Sequence, residues 1–500
     1  MIPRRLFAAL VIVSSLLASC SLPTIPSTGP QIFAPLLPTT ELPAGPAGAT
    51  PLPVRPDYKP AELVDYIAQS GDALPALAAR FNTTVPEIRA ANPIIPADAT
   101  TMPPGLPLKI PIYFKSLWAT PFKILPDSAF VDGPNDVGFN TSAFVASKPG
   151  WLKNYRAYAG YQYRSGAEIV DYVATNYSVS PRLLLALLEY KAGALSQAAP
   201  PDKPYPLDFP QPIYEHTAYL VYTQLFWAAN TLNNGYYGWR SGKLTEFELK
   251  DGTIIRPDPW QNAGTVGIEY LFSMTDQGNA YDRAIGALGL ARTYDDLFGD
   301  PWESDTTLLP GSLRQPPLDL PFPAGQVWTY TGGPHTGWGS GAPLAAVDFA
   351  PPSEHHGCFA PDKPDFVTAA ADGVVARSSP DGIALDLDGD GDERTGWVLF
   401  YLHLSAESRA PAGQQLHAGD MIGYPSCQGG ELVTGTHVHI ARKYNGEWIM
   451  ADGPLPFNFN GWIAHEGSAA YQGTLTRNGL VVKACTCSDL WSQIRSDLSP

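Results

Sequence analysis

No His-Glu-x-x-His run occurs in the 500 residues, which removes the metalloproteases built on that helical zinc motif. Positive charge is scarce as well: 32 Lys and Arg stand against 48 Asp and Glu, a net charge of −16, and the basic residues are dispersed. That balance argues against nucleic-acid binding by a basic face, and against adhesion to acidic polymers by charge alone. Cysteines number five, at 20, 358, 427, 485 and 487. The apolar stretch Leu6–Leu17 falls short of the roughly 20 residues that a membrane-spanning helix needs.

What is present is concentrated between His335 and His439. That interval holds His335, Asp348, His403 and His437-Val438-His439 in strand-like, Gly-rich surroundings. A catalytic zinc takes three protein ligands from His nitrogen and carboxylate oxygen and keeps a fourth position for water. Two further groups must then handle the proton and the oxyanion. In a strand, residues i and i+2 share a face, so Thr-His437-Val-His439-Ile turns both histidines one way and Val438 into the core. Gly396-Trp-Val-Leu-Phe-Tyr-Leu-His403 reads as a strand ending in a histidine.

The order His335, Asp348, Tyr401-Leu-His403-Leu-Ser and Gly435-Thr-His437-Val-His439 resembles the lysostaphin-type (LytM-like) zinc endopeptidases, which cut the peptide part of peptidoglycan. In most of that family the first His and the Asp stand close together; here residues 336–347 intervene. That interval, the Gly-Ser-Gly before Asp348, and Ser426-Cys427-Gln-Gly-Gly resemble its staphylolysin-like branch. The resemblance implies His335, Asp348 and His439 as ligands of one Zn2+, with His403 and His437 assisting catalysis. It leaves open which of those two is the base. It also implies a bridged Cys427, with Cys358 the preferred partner. A bridge inside Cys485-Thr-Cys487 would be strained, leaving those two free.

The amino terminus pairs Arg4-Arg5 with an apolar core and Leu17-Ala-Ser-Cys20, a secretory signal that closely resembles the bacterial lipobox. Cys20 would carry the lipid, placing the chain outside the cytoplasm in the bacterial cell envelope, anchored to a membrane. Residues 20–60 are rich in Pro, Thr, Ala and Gly and read as a linker, spanning roughly 35 Å as a coil or about 120 Å as polyproline. Residues 61–112 read strand, helix, helix, strand. Tyr66, Gly71-Asp72, Leu74, Leu77-Ala78, Phe81, Val85, Ile88, Asn92 and Ile110 resemble a LysM domain, which implies binding to the glycan of peptidoglycan.

Residues 115–315 show helical apolar spacing at Ala167–Ala174, Pro181–Tyr190, Tyr219–Leu232 and Ala284–Leu290. The stretch Val179 to Gly193 faintly resembles the catalytic helix of lysozyme-like enzymes, but Lys191 stands where the glutamate belongs. Glu189 lies about 200° away around the helix. An ordinary amphipathic helix is the favoured reading. Asp386, Asp388, Asp390 and Asp392 alternate as in a Ca2+ loop with Gly391 at the sixth place, yet Trp397 fills the twelfth. An acidic hairpin turn is the other reading.

The expected architecture is therefore multidomain α+β. It comprises a signal peptide (1–19), the linker, a small βααβ LysM domain, a mainly helical middle domain, a C-terminal antiparallel β-sheet peptidase domain (320–470) and a C-terminal extension (471–500). The expected activity is hydrolysis of stem-peptide or cross-bridge bonds in peptidoglycan. The competing expectations are a non-catalytic scaffold or amidase activator, and a glycan-cleaving middle domain.

Overall fold

The computed structural model describes residues 55–115, 117–202, 207, 221–352, 365–430, 433, 435–487 and 489–497. Cys20, the linker before residue 55 and Cys358 lie outside them.

Glu62–Ile67 (β1) buries Val64 and Tyr66 on one face and pairs antiparallel with Pro107–Ile112 (β2), Val64 opposite Ile110. Leu74–Arg80 (α1) and Val85–Ala91 (α2) lie between them. Thr84 starts α2 with a capping box: its hydroxyl accepts from Glu87 N–H and the Glu87 carboxylate accepts from Thr84 N–H. Tyr66, Leu77, Phe81, Ile88 and Ile110 fill the core of this βααβ unit. The unit is fastened to the rest of the chain. Hydroxyls of Ser70, Thr100 and Thr101 donate to the carbonyls of Leu309, Leu313 and Pro310, and Arg55 pairs with buried Asp258 at 2.7 Å.

Helices follow: Gly166–Tyr177 (α3), Pro181–Ala192 (α4), Val221–Ser241 (α5), Ala263–Thr275 (α6), Gly278–Ile285 (α7) and Leu290–Phe298 (α8). Ser165 caps α3, and α4 opens on Pro181 and closes on Gly193 at φ +55°. The helix expected over Ala284–Leu290 is interrupted: α7 ends at Ile285, α8 begins at Leu290, and residues 286–289 break between them. A Cβ on Gly289 would lie 2.2 Å from the Arg283 carbonyl oxygen, so the chain turns too tightly there for a helix to continue.

The main sheet contains Val327–Thr336 (β3), Leu344–Ala350 (β4), Gly373–Ser379 (β5), Gly382–Asp386 (β6), Trp397–Leu402 (β7), Gln415–Leu416 (β8), Val438–Tyr444 (β9), Glu447–Trp448 (β10) and Gln493–Arg495 (β11). Its order is β8-β5-β6-β7-β9-β4-β3-β11, with β10 paired to β9 and every pairing antiparallel. The strand period sorts its two faces. Ala346, Phe400, Leu402 and Ala441 join the core of the helical segment, whereas Val347, Leu399, Tyr401 and Ile440 pack into a second core on the opposite side. His439 and Asp348 fall in phase with Ala441 and Ala346, on the face that the helices cover.

Asn458–Phe459, Trp462–Glu466, Gly473–Arg477 and Leu480–Lys483 form a further four-stranded sheet, after which β11 returns to the main one. Cys485 and Cys487 are joined to each other, contrary to the expectation that they stay free. A bend at 486–487 brings their Cα atoms to 5.1 Å, where an extended chain would hold them about 6.7 Å apart. No helix among the described residues is long and apolar enough to cross a membrane.

Candidate metal centre

Sheet order brings distant residues together. His439 on β9 lies opposite Asp348 on β4 and, on its other side, opposite Leu402, the residue before His403. His335 comes from β3, whose pairing with β4 is irregular on both sides of it, and such irregularity re-aims a side chain. Gly332, opposite Asp348, has to lack a side chain, because a Cβ there would sit 2.3 Å from the carboxylate Oδ2.

The facing atoms are His335 Nε2, His439 Nδ1 and Asp348 Oδ1. The nitrogens are 3.0 Å apart, and Oδ1 is 3.2 Å from the first and 3.4 Å from the second. Each imidazole also has an outward partner: His335 Nδ1 lies 2.8 Å from the Gly333 carbonyl oxygen and His439 Nε2 lies 3.1 Å from that of Gly337. A carbonyl only accepts, so these outward nitrogens carry the hydrogens and the inward ones are lone pairs. Consistent with this, Asp348 Oδ1 is buried and accepts no well-formed hydrogen bond. Two nitrogen lone pairs and a carboxylate oxygen thus converge with no hydrogen between them. Such a set fits a cation, and its N,N,O composition suits zinc.

The electrostatics match that demand. Burial pushes the Asp348 carboxyl up, but the imidazoles of His335 and His437 outweigh it and hold the group well below the usual carboxylate range. Burial pushes His439 down, keeping it neutral. A metal ligand has to be neutral imidazole or ionised carboxylate, and His439 and Asp348 are pushed towards those forms.

His403 and His437 sit beside this trio with ring centroids 4.6 Å apart. His403 follows β7 in the left-handed region at φ +64°, an unusual backbone for a residue with a side chain. Its carbonyl accepts from Ser426 N–H and its Nδ1 donates to the Gln428 carbonyl at 3.1 Å. His437 Nδ1 donates to the Gly435 carbonyl at 2.9 Å, and its Nε2 is 3.9 Å from Asp348 Oδ2. Burial first, then His437 and His439, push the His403 pKa down to about 3.

Sequence reasoning missed Tyr471. Its ring stacks on the His335 imidazole, centroids 4.1 Å apart, and its carbonyl accepts from Gly333 N–H at 2.8 Å. The carbonyls of Gly333, Gly337, Gln428 and Gly435 were equally invisible, because a main-chain acceptor leaves no side-chain signature.

The other marked residues lie apart from this cluster. Asp386, Asp388 and Asp390 bring oxygens together, while Asp392 turns to Arg394 at 2.6 Å. Carboxylates of this loop accept from N–H groups of Asp388, Asp390, Gly391 and Asp392, the bonding of an acidic turn. Glu189 accepts from the N–H groups of Leu195 and Ser196, closing off the end of α4, and Lys191 pairs with Asp276. Cys427 is disulfide-bonded, and the expected partner Cys358 is outside the described residues.

Residues 66–111 match the LysM domain family and residues 123–311 match the family described as LasA, N-terminal domain. The chain is similar to Protease LasA of Pseudomonas aeruginosa strain UCBPP-PA14, 23% identical over 377 residues that cover 71% of this chain and 80% of that protein. Among solved structures it is similar to the M23 metalloprotease pseudoalterin from the deep sea, at 25% identity and a TM-score of 0.28, covering 34% of this chain and 96% of that one. It is also similar to the catalytic domain of lysostaphin from Staphylococcus simulans, at 23% identity and a TM-score of 0.18, covering 25% and 87% of the two chains.

Proposed function

We propose that the chain is a zinc-dependent endopeptidase that hydrolyses peptide bonds in the stem peptides or cross-bridges of peptidoglycan. In this reading the LysM segment holds the glycan, and a lipid on Cys20 tethers the chain in the cell envelope. The convergence of His335 Nε2, Asp348 Oδ1 and His439 Nδ1 as three hydrogen-free donors carries the proposal. The similarity to Protease LasA and the LysM match support its substrate class.

Those three residues would hold the ion. When bound, zinc supplies a Lewis acid that polarises the scissile carbonyl and makes water a nucleophile at neutral pH. His403 and His437 each commit Nδ1–H to a carbonyl, so each keeps an Nε2 lone pair able to take a proton. One ring removes the proton of the attacking water and returns it to the leaving amine.

Metal analysis of the purified chain and mass spectrometry of digested peptidoglycan test this together. Stoichiometric zinc and new peptide termini are expected, and both should disappear in Asp348→Ala and His439→Ala. Cleavage that survives either substitution would sink the assignment, and a metal-free, inert chain would favour the scaffold or amidase-activator reading.

A further inference from the structure

The loop joining the first two proposed ligands, Gly337-Trp-Gly-Ser-Gly-Ala-Pro343, has glycine at three of its first five positions. Gly339 and Gly341 adopt φ +80° and +85°. Glycine makes such a loop costly to order, so something has to hold it. Two side chains of the helical segment do. Asn230 Oδ1 accepts from Ser340 N–H at 2.7 Å, and Asn234 Oδ1 accepts from Ala342 N–H at 2.6 Å. Four residues apart on α5, the two asparagines share one helix face. The missing side chains permit the contact: a Cβ at Gly339 would lie 2.5 Å from Asn230 Oδ1, and one at Gly341 would lie 2.2 Å from Asn234 Oδ1.

The other end of the loop is held from the same direction. Gly337 rests on the ring of Trp448. Trp448 in turn donates its main-chain N–H to the Tyr237 hydroxyl at 2.9 Å and its Nε1–H to the Tyr177 carbonyl at 3.3 Å. What the loop delivers is the Gly337 carbonyl, which accepts from His439 Nε2 and so keeps the Nδ1 lone pair facing His335 and Asp348.

We propose that Asn230 and Asn234 are positioning residues of the metal centre, acting through the Gly337 carbonyl on the tautomer of His439. This rests on reading the His335 cluster as a zinc site. The helical segment is then a working part of that site, although it contributes no ligand.

The test uses the full chain with N230L/N234L, which removes both acceptors, and N230D/N234D, which keeps an acceptor oxygen at each position. Zinc affinity is read by chelator competition, and the His439 tautomer by nitrogen-15 NMR of the metal-free protein. The leucine pair should weaken zinc about tenfold, as loss of outer-shell support does, and should mix the two His439 tautomers. The aspartate pair should restore both readouts. Unchanged zinc affinity with a single Nε2–H tautomer in the leucine pair would overturn the proposal. If the leucine pair does not fold, the single variants N230A and N234A answer the same two questions. An unsubstituted chain that binds no zinc would instead retire the endopeptidase reading, and the metal-free tautomer comparison would still decide the role of the asparagines.

Discussion

Arg240 and Glu447, 207 residues apart in the chain, meet in a two-pronged contact, Nε to Oε1 at 2.9 Å and Nη2 to Oε2 at 3.3 Å, with both side chains out of water. The same guanidinium donates to the Ser70 carbonyl and, at 2.9 Å, to Asp127 Oδ2. One side chain therefore joins the βααβ unit, the helices and the sheet. Burial pushes Glu447 up while Arg240 pulls it back, so the carboxylate depends on its partner. Removing one member of a buried pair costs about 3–5 kcal/mol. Arg240→Met should lower thermal stability accordingly, and adding Glu447→Gln should recover part of the loss by neutralising the stranded carboxylate. A double variant no more stable than the single one would contradict that account.

Zinc should stabilise the native chain by mass action, since the His335, Asp348 and His439 set forms only when β3, β4 and β9 are assembled. At a hundredfold excess over the dissociation constant the gain is about 2.7 kcal/mol. Differential scanning fluorimetry with and without chelator should show it, and Asp348→Ala should lose it.

Stability should fall with rising pH through Glu269. Burial pushes this carboxyl up to about 8; Gln261 bonds one oxygen and the other has no partner. A raised acid contributes stability that is complete below its unfolded pKa, near 4.3, and is lost as pH climbs through the folded value. At about 1.4 kcal/mol per pKa unit the full loss is on the order of 5 kcal/mol. Glu269→Gln should flatten the melting temperature between pH 5 and pH 8.5 (about the span between the two pKa values). An equal slope in both proteins would remove Glu269 as the cause.

Glu189→Gln should leave any glycan chemistry untouched, because that carboxylate already serves the N–H groups of Leu195 and Ser196. Purified sacculi should yield no anhydro or reducing sugar ends with either protein. Their release by the unsubstituted chain and loss in the variant would revive a glycan-cleaving role for the helices.

Regular local patterns made much of this legible. The alternation around Val438 and the run into His403 are strand signals, and Thr84 with Glu87 announces a helix start. The apolar spacing near Pro181 marks α4, which extends to Ala192. What stayed hidden is non-local. Which strand lies beside β9 is set by sheet order, so the facing of Asp348 and His439 has no short-range signature. The break at Gly289 was masked by apolar residues that keep helical spacing across it. Tyr471 arrives from a hairpin beyond the last proposed ligand, and nothing near it in sequence points to His335. The seating of the 337–343 loop on Asn230 and Asn234 depends on a helix about a hundred residues upstream.

The hydroxyls of Ser70, Thr100 and Thr101 gripping the chain at Leu309, Leu313 and Pro310 have a mechanical consequence. A module bolted down in this way works as a gauge. On the proposed reading, whatever β1 to β2 binds would be offered to the His335 cluster from one fixed direction, and a polymer with a regular repeat would then be cut in phase with that repeat.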